Sequence, residues 1–377
     1  MKRREVMYLK NPSLNEILYL LETNVFSNNS FAFILIGEDS KIPLDELVNS
    51  LNNKNIKFTG GVFPKIINNN ETSSTGVVIK WLPHNAISIY FDSSKTFSRQ
   101  FSEFSKVTFS TAYVLTSGIS SDSSEHLRSL YTYLGNDVKF IGGGAGRIKE
   151  QNEGILISND GVFNTGTIIT LTKNKATTGS LHGWTKLYGP FIATKTDKNF
   201  IKELNWENAF VVYQRFLKTI LDIKINKENF EANSIHYPFG IYKESSEYII
   251  RDPMRITEKG YLQCVGNIPE NSVIDLMTMK EEDFKSVSKN LVYQSIDTKF
   301  KINDVLIFNC ISRKNHLNND FYLELSNLTE EIKSTQKKVN LEGALSIGEI
   351  YSNGEGYPEI LNKSIVLGFS YLDKNAN

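Results

Sequence analysis

The residues best suited to bind a charged small molecule lie in the last third of the chain. Cys310 and Arg313 follow an apolar run, Val305 to Cys310, that is typical of a buried strand, and Glu349 follows a second apolar run and a glycine. An arginine can grip a carboxylate through two N–H donors, and a carboxylate can receive an ammonium group. Arg313 and Glu349 therefore predict a site for a zwitterion such as an amino acid. The alternative is that they pair with each other and bind nothing, since buried charges need partners.

A glycine run provides a second candidate for ligand binding. Val138 to Arg147 reads VKFIGGGAGR, and we expect the strand to end in a turn at Gly142, Gly143 and Gly144. Backbone N–H groups in such a turn can hold a carboxylate or phosphate, and the alternative is a tight strand crossing without a ligand. The run is neither a P-loop nor a dinucleotide fingerprint, because no Lys-Ser/Thr pair or helix start follows it.

Three further side chains are candidates, each with a structural alternative. Arg251 precedes Asp252 and a proline, so it either contacts a ligand or forms a salt bridge at a strand end. His182, in a glycine-flanked loop, could serve as a polar pocket group or as a ligand to haem iron, and His236 is its rival. The sequence lacks a CxxCH motif, so a haem would be held noncovalently.

Cysteine chemistry is the competing function class. Cys310 could act as a nucleophile only if a base or a helix N-terminus lowered its pKa. His316 is near it in sequence, but nothing in the sequence places the two side chains together. We therefore expect a binding protein rather than an enzyme, with no catalytic residues and no metal site.

The elements that must position these residues alternate between strands and helices. A strand, a helix, a strand with a double glycine and further strands occur over residues 31–91 and again over 112–172. This order predicts an α/β fold with mixed sheets, an internally duplicated N-terminal part and a distinct C-terminal α/β part. We place the N-terminal domain at 31–233 and the C-terminal domain at 234–372, and expect a helix from about Trp206 to Leu221 with Trp206 on its buried stripe.

Composition excludes several function classes. The 377 residues carry 42 basic and 42 acidic side chains, so a basic nucleic-acid surface is not expected. Two cysteines rule out a disulfide scaffold and fit a reducing compartment. The basic start of the chain leads into an amphipathic helix rather than a signal peptide, and no apolar run is long enough for a membrane span. We expect a cytoplasmic protein without a membrane or nucleic-acid partner.

The ordered set of motifs resembles the FIST family over almost the whole chain. The motifs begin with GGGAG, HGW and a Gly-Pro, followed by a helix that contains a tyrosine. The second half is similar to the FIST C-terminal module in six short motifs. These are Pro238 to Gly240, Arg251-Asp252-Pro253, Gly266 to Pro269, Cys310 to Arg313, Gly343 with Gly348-Glu349-Ile350, and Asn362-Lys363-Ser364.

The resemblance implies a sensory role. FIST proteins are understood as modules that bind small ligands, with amino acids suggested, and one branch carries haem and senses nitric oxide through a histidine kinase. By resemblance, this chain would relay ligand occupancy to a histidine kinase, a chemoreceptor or a cyclic-nucleotide signalling protein. We expect the ligand to lie between the two domains, with the glycine turns facing Arg251, Cys310, Arg313 and Glu349 across one cleft.

Overall fold

The computed structural model describes residues 6–25, 31–102, 107–118, 120, 122–149, 154–242, 248–279, 284–336 and 338–372. It confirms the α/β class, because each of three six-stranded sheets contains a parallel pair and several antiparallel pairs. The described part of the chain also contains two smaller antiparallel sheets.

The first repeat, residues 6–82, builds one sheet around a parallel pair of strands, β2 (Phe31–Gly37) and β3 (Phe58–Phe63). Continuous apolar runs form these strands, and the helix between them buries Leu47, Val48 and Leu51. Its elements are β1 (Val6–Leu9), α1 (Leu14–Val25), β2 (Phe31–Gly37), α2 (Leu44–Asn53), β3 (Phe58–Phe63), β4 (Lys65–Asn68), β5 (Glu71–Ser73) and β6 (Val77–Leu82).

The second repeat, residues 87–172, has the same order of elements. Its parallel pair is β8 (Thr111–Ser117) and β9 (Lys139–Ala145), joined by a helix that buries Leu127 and Leu130. Its elements are β7 (Ile87–Phe91), α3 (Ser94–Phe101), β8 (Thr111–Ser117), α4 (Ser123–Leu134), β9 (Lys139–Ala145), β10 (Leu156–Ser158), β11 (Gly161–Phe163) and β12 (Thr167–Thr172).

The third repeat is interrupted after its first strand, β13 (Ala176–Leu181). The inserted region, residues 185–278, forms the two smaller sheets and packs its own apolar core. Its elements are β14 (Thr185–Ile192), β15 (Lys195–Asp197), β16 (Phe200–Leu204), β17 (Glu207–Asn208), α5 (Ala209–Leu221), α6 (Phe230–Ser234), β18 (Phe239–Tyr242), β19 (Tyr248–Arg251), β20 (Pro253–Ile256), β21 (Leu262–Cys264) and β22 (Val273–Thr278).

The chain then completes the third repeat around the parallel pair β23 (Ile302–Cys310) and β24 (Leu341–Ser346). The remaining elements are α7 (Phe284–Ser295), β23 (Ile302–Cys310), α8 (Ile311–Leu317), α9 (Asp320–Thr335), β24 (Leu341–Ser346), β25 (Glu349–Ser352), β26 (Glu359–Leu361) and β27 (Ile365–Tyr371). Strand orders β1-β6-β2-β3, β7-β12-β8-β9 and β13-β27-β23-β24 are equivalent, so the duplicated unit is present three times.

The hairpin of each repeat pairs with a strand of another repeat. The hairpin β4–β5 of the first repeat pairs with β24, β10–β11 of the second pairs with β3, and β25–β26 of the third pairs with β9. This cyclic exchange brings all three sheets onto one central core with residues from every repeat, including Phe33, Leu115 and Phe308. Strands from both predicted domains thus share sheets, while the proposed boundary between residues 233 and 234 stays a prediction.

The glycine runs lie inside strands, so the prediction that they end the strands in turns is wrong. β9 continues through Gly142, Gly143 and Gly144, and β3 continues through Gly60 and Gly61. A Cβ at Gly142 would collide with the backbone carbonyl of Val114 on the parallel neighbour. The glycines are therefore needed for close approach between backbones.

The long helix of the inserted region starts later than the sequence predicts. α5 begins at Ala209 and is capped by the Asn208 side chain, which accepts from the backbone N–H groups of Phe210 and Val211. Asn205 and Trp206 instead form a left-handed turn, with φ of 49° and 64°, and Trp206 is 76% exposed. The expected burial of Trp206 is wrong because the helical periodicity does not reach it.

Candidate functional site

The three repeats differ at the position that Glu349 occupies. In each repeat this position lies on the exchanged hairpin, directly opposite a small residue of the parallel pair. The equivalent pairs are Ile66 with Ala344, Leu156 with Gly61, and Glu349 with Gly143. In the first and second repeats, the apolar side chains of Ile66 and Leu156 fill this position. Only the third repeat places a carboxyl group there.

Neighbouring positions of the third repeat are polar as well. The last pair of the parallel strands is Gly37 with Phe63, Ser117 with Ala145, and Cys310 with Ser346. The Ser346 Oγ donates to Oε1 of Glu349 over 2.9 Å, and the Ser364 N–H donates to Oε2 over 3.3 Å. We call Asp252, Cys310, Ser346, Glu349 and Lys363 the polar cluster.

Glu349 is a strongly perturbed carboxyl group. It is 0% exposed, and burial raises its pKa to about 8, although the hydrogen bonds from Ser346 and Ser364 act in the opposite direction. A carboxyl group that is kept protonated by burial in a cluster of ionisable side chains is typical of functional sites.

Cys310 is buried, and burial raises the pKa of its thiol to about 12, with the Glu349 carboxyl group acting in the same direction.

We predict that iodoacetamide leaves Cys310 unmodified at neutral pH in the folded protein, because the thiolate is the nucleophile and the raised pKa keeps the thiol protonated. Mass spectrometry of the tryptic peptides checks this, with the protein unfolded in guanidinium chloride as the positive control. Selective alkylation of Cys310 in the folded protein would instead support cysteine catalysis.

Arg313 forms a buried ion pair with Glu324. Its Nη2 lies 2.5 Å from Oε2 of Glu324 and its Nε lies 2.9 Å from the same oxygen, with both side chains 0% exposed. Nη1 donates to the backbone carbonyls of His182 and Lys363. Arg313 therefore holds three segments together, and its ion-pair partner is Glu324 rather than Glu349.

Lys363 links the polar cluster to the inserted region. It stands in the tight connection between β26 and β27 with φ of 52°, and its side chain is fully buried. Its Nζ donates to Ser312 Oγ over 2.7 Å and to the Ile235 carbonyl over 2.8 Å, and it lies 3.2 Å from Oδ1 of Asp252. Asp252 thus pairs with Lys363, not with Arg251.

Arg251 lies beside this ion pair. Its Nη1 donates to the carbonyls of Ile250 and Ile360 and its Nε to the carbonyl of Asn267, so three segments meet at one guanidinium. Burial lowers the pKa of Arg251 to about 10, which leaves it protonated at neutral pH. Gly266 packs closely against the guanidinium of Arg251, since a Cβ at residue 266 would lie only 3.1 Å from Cζ of Arg251.

The candidate histidines are engaged with other protein groups. Nδ1 of His182 accepts from the Trp184 N–H over 2.8 Å, and burial lowers the pKa of His182 to about 4. His236 and His316 face each other through their Nδ1 atoms over 2.8 Å, and burial lowers the pKa of both. The His182 ring is hydrogen-bonded to the backbone of both Trp184 and Tyr248, which does not fit a ligand to haem iron. We therefore derive no chemistry through haem, which stays a sequence prediction.

A cleft adjoins the polar cluster between segments of the N-terminal and C-terminal halves. It has about 10 Å³ of space, which is room for one water. We call it the inner cleft. Its lining residues are Gly118, Ser120, Asn199, Met254, Arg255, Gln263, Cys264, Val265 and Gly266.

Three contacts connect the inner cleft to the residues behind it. Gly118 packs against Ile347, in the turn that leads to Glu349, and Gly266 packs against Arg251. The Val265 N–H donates to the carbonyl of Asp252 over 3.2 Å. The floor of the cleft is therefore built by the same segments that carry the polar cluster.

Two buried amide oxygens next to this floor lack hydrogen-bond donors within the described residues. They are Oδ1 of Asn199, which lines the cleft, and Oδ1 of Asn267, next to Gly266. The Asn199 amide is oriented by its Nδ2, which donates to the Cys264 carbonyl over 2.9 Å. Burying an acceptor without a donor is costly, so the cleft favours a donor-rich guest such as an ammonium group.

The structure brings most of the predicted site residues to one region. Glu349 pairs with Gly143 on adjacent strands and the Gly144 N–H donates to the Gly348 carbonyl, so the glycine amides are used within the sheet. Sequence reasoning missed Lys363, Asn199 and Arg255 as site residues. Lys363 could have been found as a lysine before the apolar strand Ile365–Tyr371, whereas no sequence signal marks Asn199.

Two family models match the chain. A model described as the FIST N domain matches residues 92–207, and one described as the FIST C domain matches residues 209–352. No curated protein matches the chain. The inner cleft lies where the two matched segments meet, whereas the first repeat lies outside both matches.

Proposed function

Because the chain belongs to the FIST family, whose domains are sensory domains of signal transduction, we propose that it senses a small ligand in the inner cleft. The observation that carries this proposal concerns Asn199, which lines the cleft and whose buried Oδ1 has no hydrogen-bond donor among the described residues. A ligand that donates hydrogen bonds there would relieve the cost of burying that acceptor.

The lining favours an amino acid as ligand. Asn199 offers an acceptor for the ammonium group, and the exposed Arg255 offers a bidentate partner for the carboxylate. Arg313 is not part of this proposal, since its guanidinium already forms a buried ion pair with Glu324. Because the cleft holds only one water, this proposal requires the paired strands β20 and β21 to move together away from Gly118 and Ser120 when the ligand enters.

Signal output follows from that movement in this proposal. β20 and β21 belong to a sheet of the inserted region, and Lys363 and Arg251 connect this region to the third repeat. Displacement of the cleft wall would therefore alter the surface of the inserted region, which we propose as the surface that a signalling partner recognises. We propose a cytoplasmic sensor whose partner is a histidine kinase, a chemoreceptor or a cyclic-nucleotide signalling protein. In the described part of the chain, no helix combines the length and apolar character that crossing a membrane requires.

A thermal-shift panel tests the ligand class. We predict that at least one free amino acid stabilises the protein, by about 2.7 kcal/mol at a concentration 100-fold above its Kd. Its N-acetyl derivative, which lacks the ammonium group, is expected to give no shift. The Arg255→Ala variant should lose the response to amino acids and keep the melting temperature of the free protein, because Arg255 is exposed.

Arg99→Ala is the matched control, since Arg99 is also exposed but lies on α3, away from the cleft. This variant should respond like the wild-type protein. A flat response across the panel, or a shift that N-acetylation leaves unchanged, would contradict the proposed ligand class.

A further inference from the structure

The third repeat carries polar side chains where the first two repeats carry glycine or an apolar residue. The Cys310 N–H donates to the Ser364 carbonyl, and the equivalent bonds run from Gly37 to Gly76 and from Ser117 to Gly166. Ser364 therefore replaces a glycine, just as Glu349 replaces Ile66 or Leu156. Since the other two repeats fold without a carboxyl group at this position, Glu349 is free to serve a purpose other than folding.

The ionisable groups around Glu349 and its neighbour Cys310 come from four parts of the fold. They are Cys310 at the end of β23, Arg313 on α8, Lys363 before β27 and Asp252 after β19. Arg313 pairs with Glu324, and Lys363 pairs with Asp252. Because both cations are balanced by other carboxylates, burial prevails and raises the pKa of Glu349 to about 8, so Glu349 holds its proton at neutral pH.

Both walls of the inner cleft rest on the turn that precedes Glu349. On one wall, a Cβ at Gly118 would lie only 2.5 Å from Cβ of Ile347. On the other wall, which follows β21, a Cβ at Gly348 would lie 3.4 Å from Cγ1 of Val265. Movement of β20 and β21 away from Gly118 would therefore uncover this turn and let water approach the Glu349 carboxyl group.

Two consequences of ligand entry favour loss of the Glu349 proton. Water that reaches the carboxyl group lowers the cost of ionising it, and the ammonium group of an amino acid adds a positive charge to the same region. Both effects act in the direction that lowers the pKa of Glu349.

We propose that ligand entry into the inner cleft is coupled to release of the Glu349 proton, which makes occupancy of the cleft depend on pH as well as on ligand concentration. The proton passes to water or buffer, and the electron pair of the O–H bond stays on the carboxylate. This inference rests on the proposed function, because it concerns the same cleft and the same strand movement.

Isothermal titration of the full-length protein with the standard free amino acids tests the coupling. Each titration is run at pH 7 in phosphate and in Tris, two buffers with different enthalpies of ionisation. For an amino acid that binds, the two binding enthalpies should differ by the amount that corresponds to release of up to one proton. The affinity should rise by up to about tenfold per pH unit between about pH 6 and pH 8, because the ligand must displace the proton below the pKa of the free protein.

The Glu349→Gln variant should bind the same amino acid with equal enthalpies in the two buffers and with an affinity that does not change with pH. Glu330→Gln is the matched control, since Glu330 is exposed on α9, and it should release a proton like the wild-type protein. If Glu349→Gln does not fold, infrared spectra of the wild-type protein replace it. The band of a protonated carboxyl group should then weaken when the amino acid binds.

The possible failures are distinguishable. Binding with equal enthalpies in both buffers overturns the coupling and leaves the proposed function standing. Proton release that persists in Glu349→Gln, or a carboxyl band that binding leaves unchanged, also overturns the coupling. Absence of binding by every amino acid overturns the proposed ligand class together with the coupling.

Discussion

The Glu349→Gln variant is expected to gain stability over the wild-type protein as the pH rises from about 5 to about 8. Burial raises the pKa of Glu349 to about 8, well above that of the unfolded chain, so the folded protein holds a proton that the unfolded chain releases. The stability from this proton is complete below the unfolded pKa and is lost as the pH rises through the folded pKa. The difference between the two proteins should grow by up to about 1.4 kcal/mol per pH unit in this window.

Chemical unfolding of both proteins at several pH values measures this difference. Glutamine keeps the size of the side chain and an acceptor for Ser346 and Ser364, so packing changes are small. The histidines with lowered pKa values contribute equally to both proteins and cancel. Parallel stability curves across this pH range would show that Glu349 is ionised in the folded protein and would remove it from the perturbed cluster.

The Glu324→Ala variant is expected to lose about 3–5 kcal/mol of stability, because it leaves the guanidinium of Arg313 buried without its partner. Both side chains are fully buried, so water cannot replace the carboxylate. Equilibrium denaturation of the variant measures the loss. The amino-acid response should survive in whatever fraction remains folded, since Arg313 does not take part in the proposed ligand contacts.

Glu207→Ala provides the matched control. Glu207 forms the same bidentate pair with Arg215, but both side chains are about half exposed, so solvent screens the pair. Its removal should cost at most about 1 kcal/mol. A similarly small loss in Glu324→Ala would mean that Arg313 reaches solvent or a ligand, as the zwitterion hypothesis for Arg313 and Glu349 requires.

Local patterns were sufficient to predict the strands and the repeated unit. The apolar runs from Phe31 and from Val305 are β2 and β23, and the repeat was visible where its elements follow one another directly. The third copy was missed because the inserted region separates β13 from β23, so sequence spacing no longer shows the repeat. The glycine runs were wrongly predicted to end the strands in turns, because glycine is favoured both in turns and where two strand backbones approach closely.

The candidate site was predictable by residue type but not by partner. Cys310 and Glu349 do lie close to each other in the third repeat, and Arg251 of the inserted region reaches the same repeat through the Ile360 carbonyl. Glu324 lies on a different helix from Arg313, and the Lys363–Asp252 pair joins residues far apart in sequence. Such pairings depend on sheet topology, which periodicity along a single chain does not specify.

The crystal structure of the protein with the amino acid that gives the largest thermal shift tests the proposed function most directly. We predict the ligand in the inner cleft, with its ammonium group within hydrogen-bond distance of Oδ1 of Asn199 and its carboxylate against Arg255. β20 and β21 should be displaced from their positions in the free protein. A ligand bound at another place, or a cleft that stays closed while the ligand binds, would contradict it.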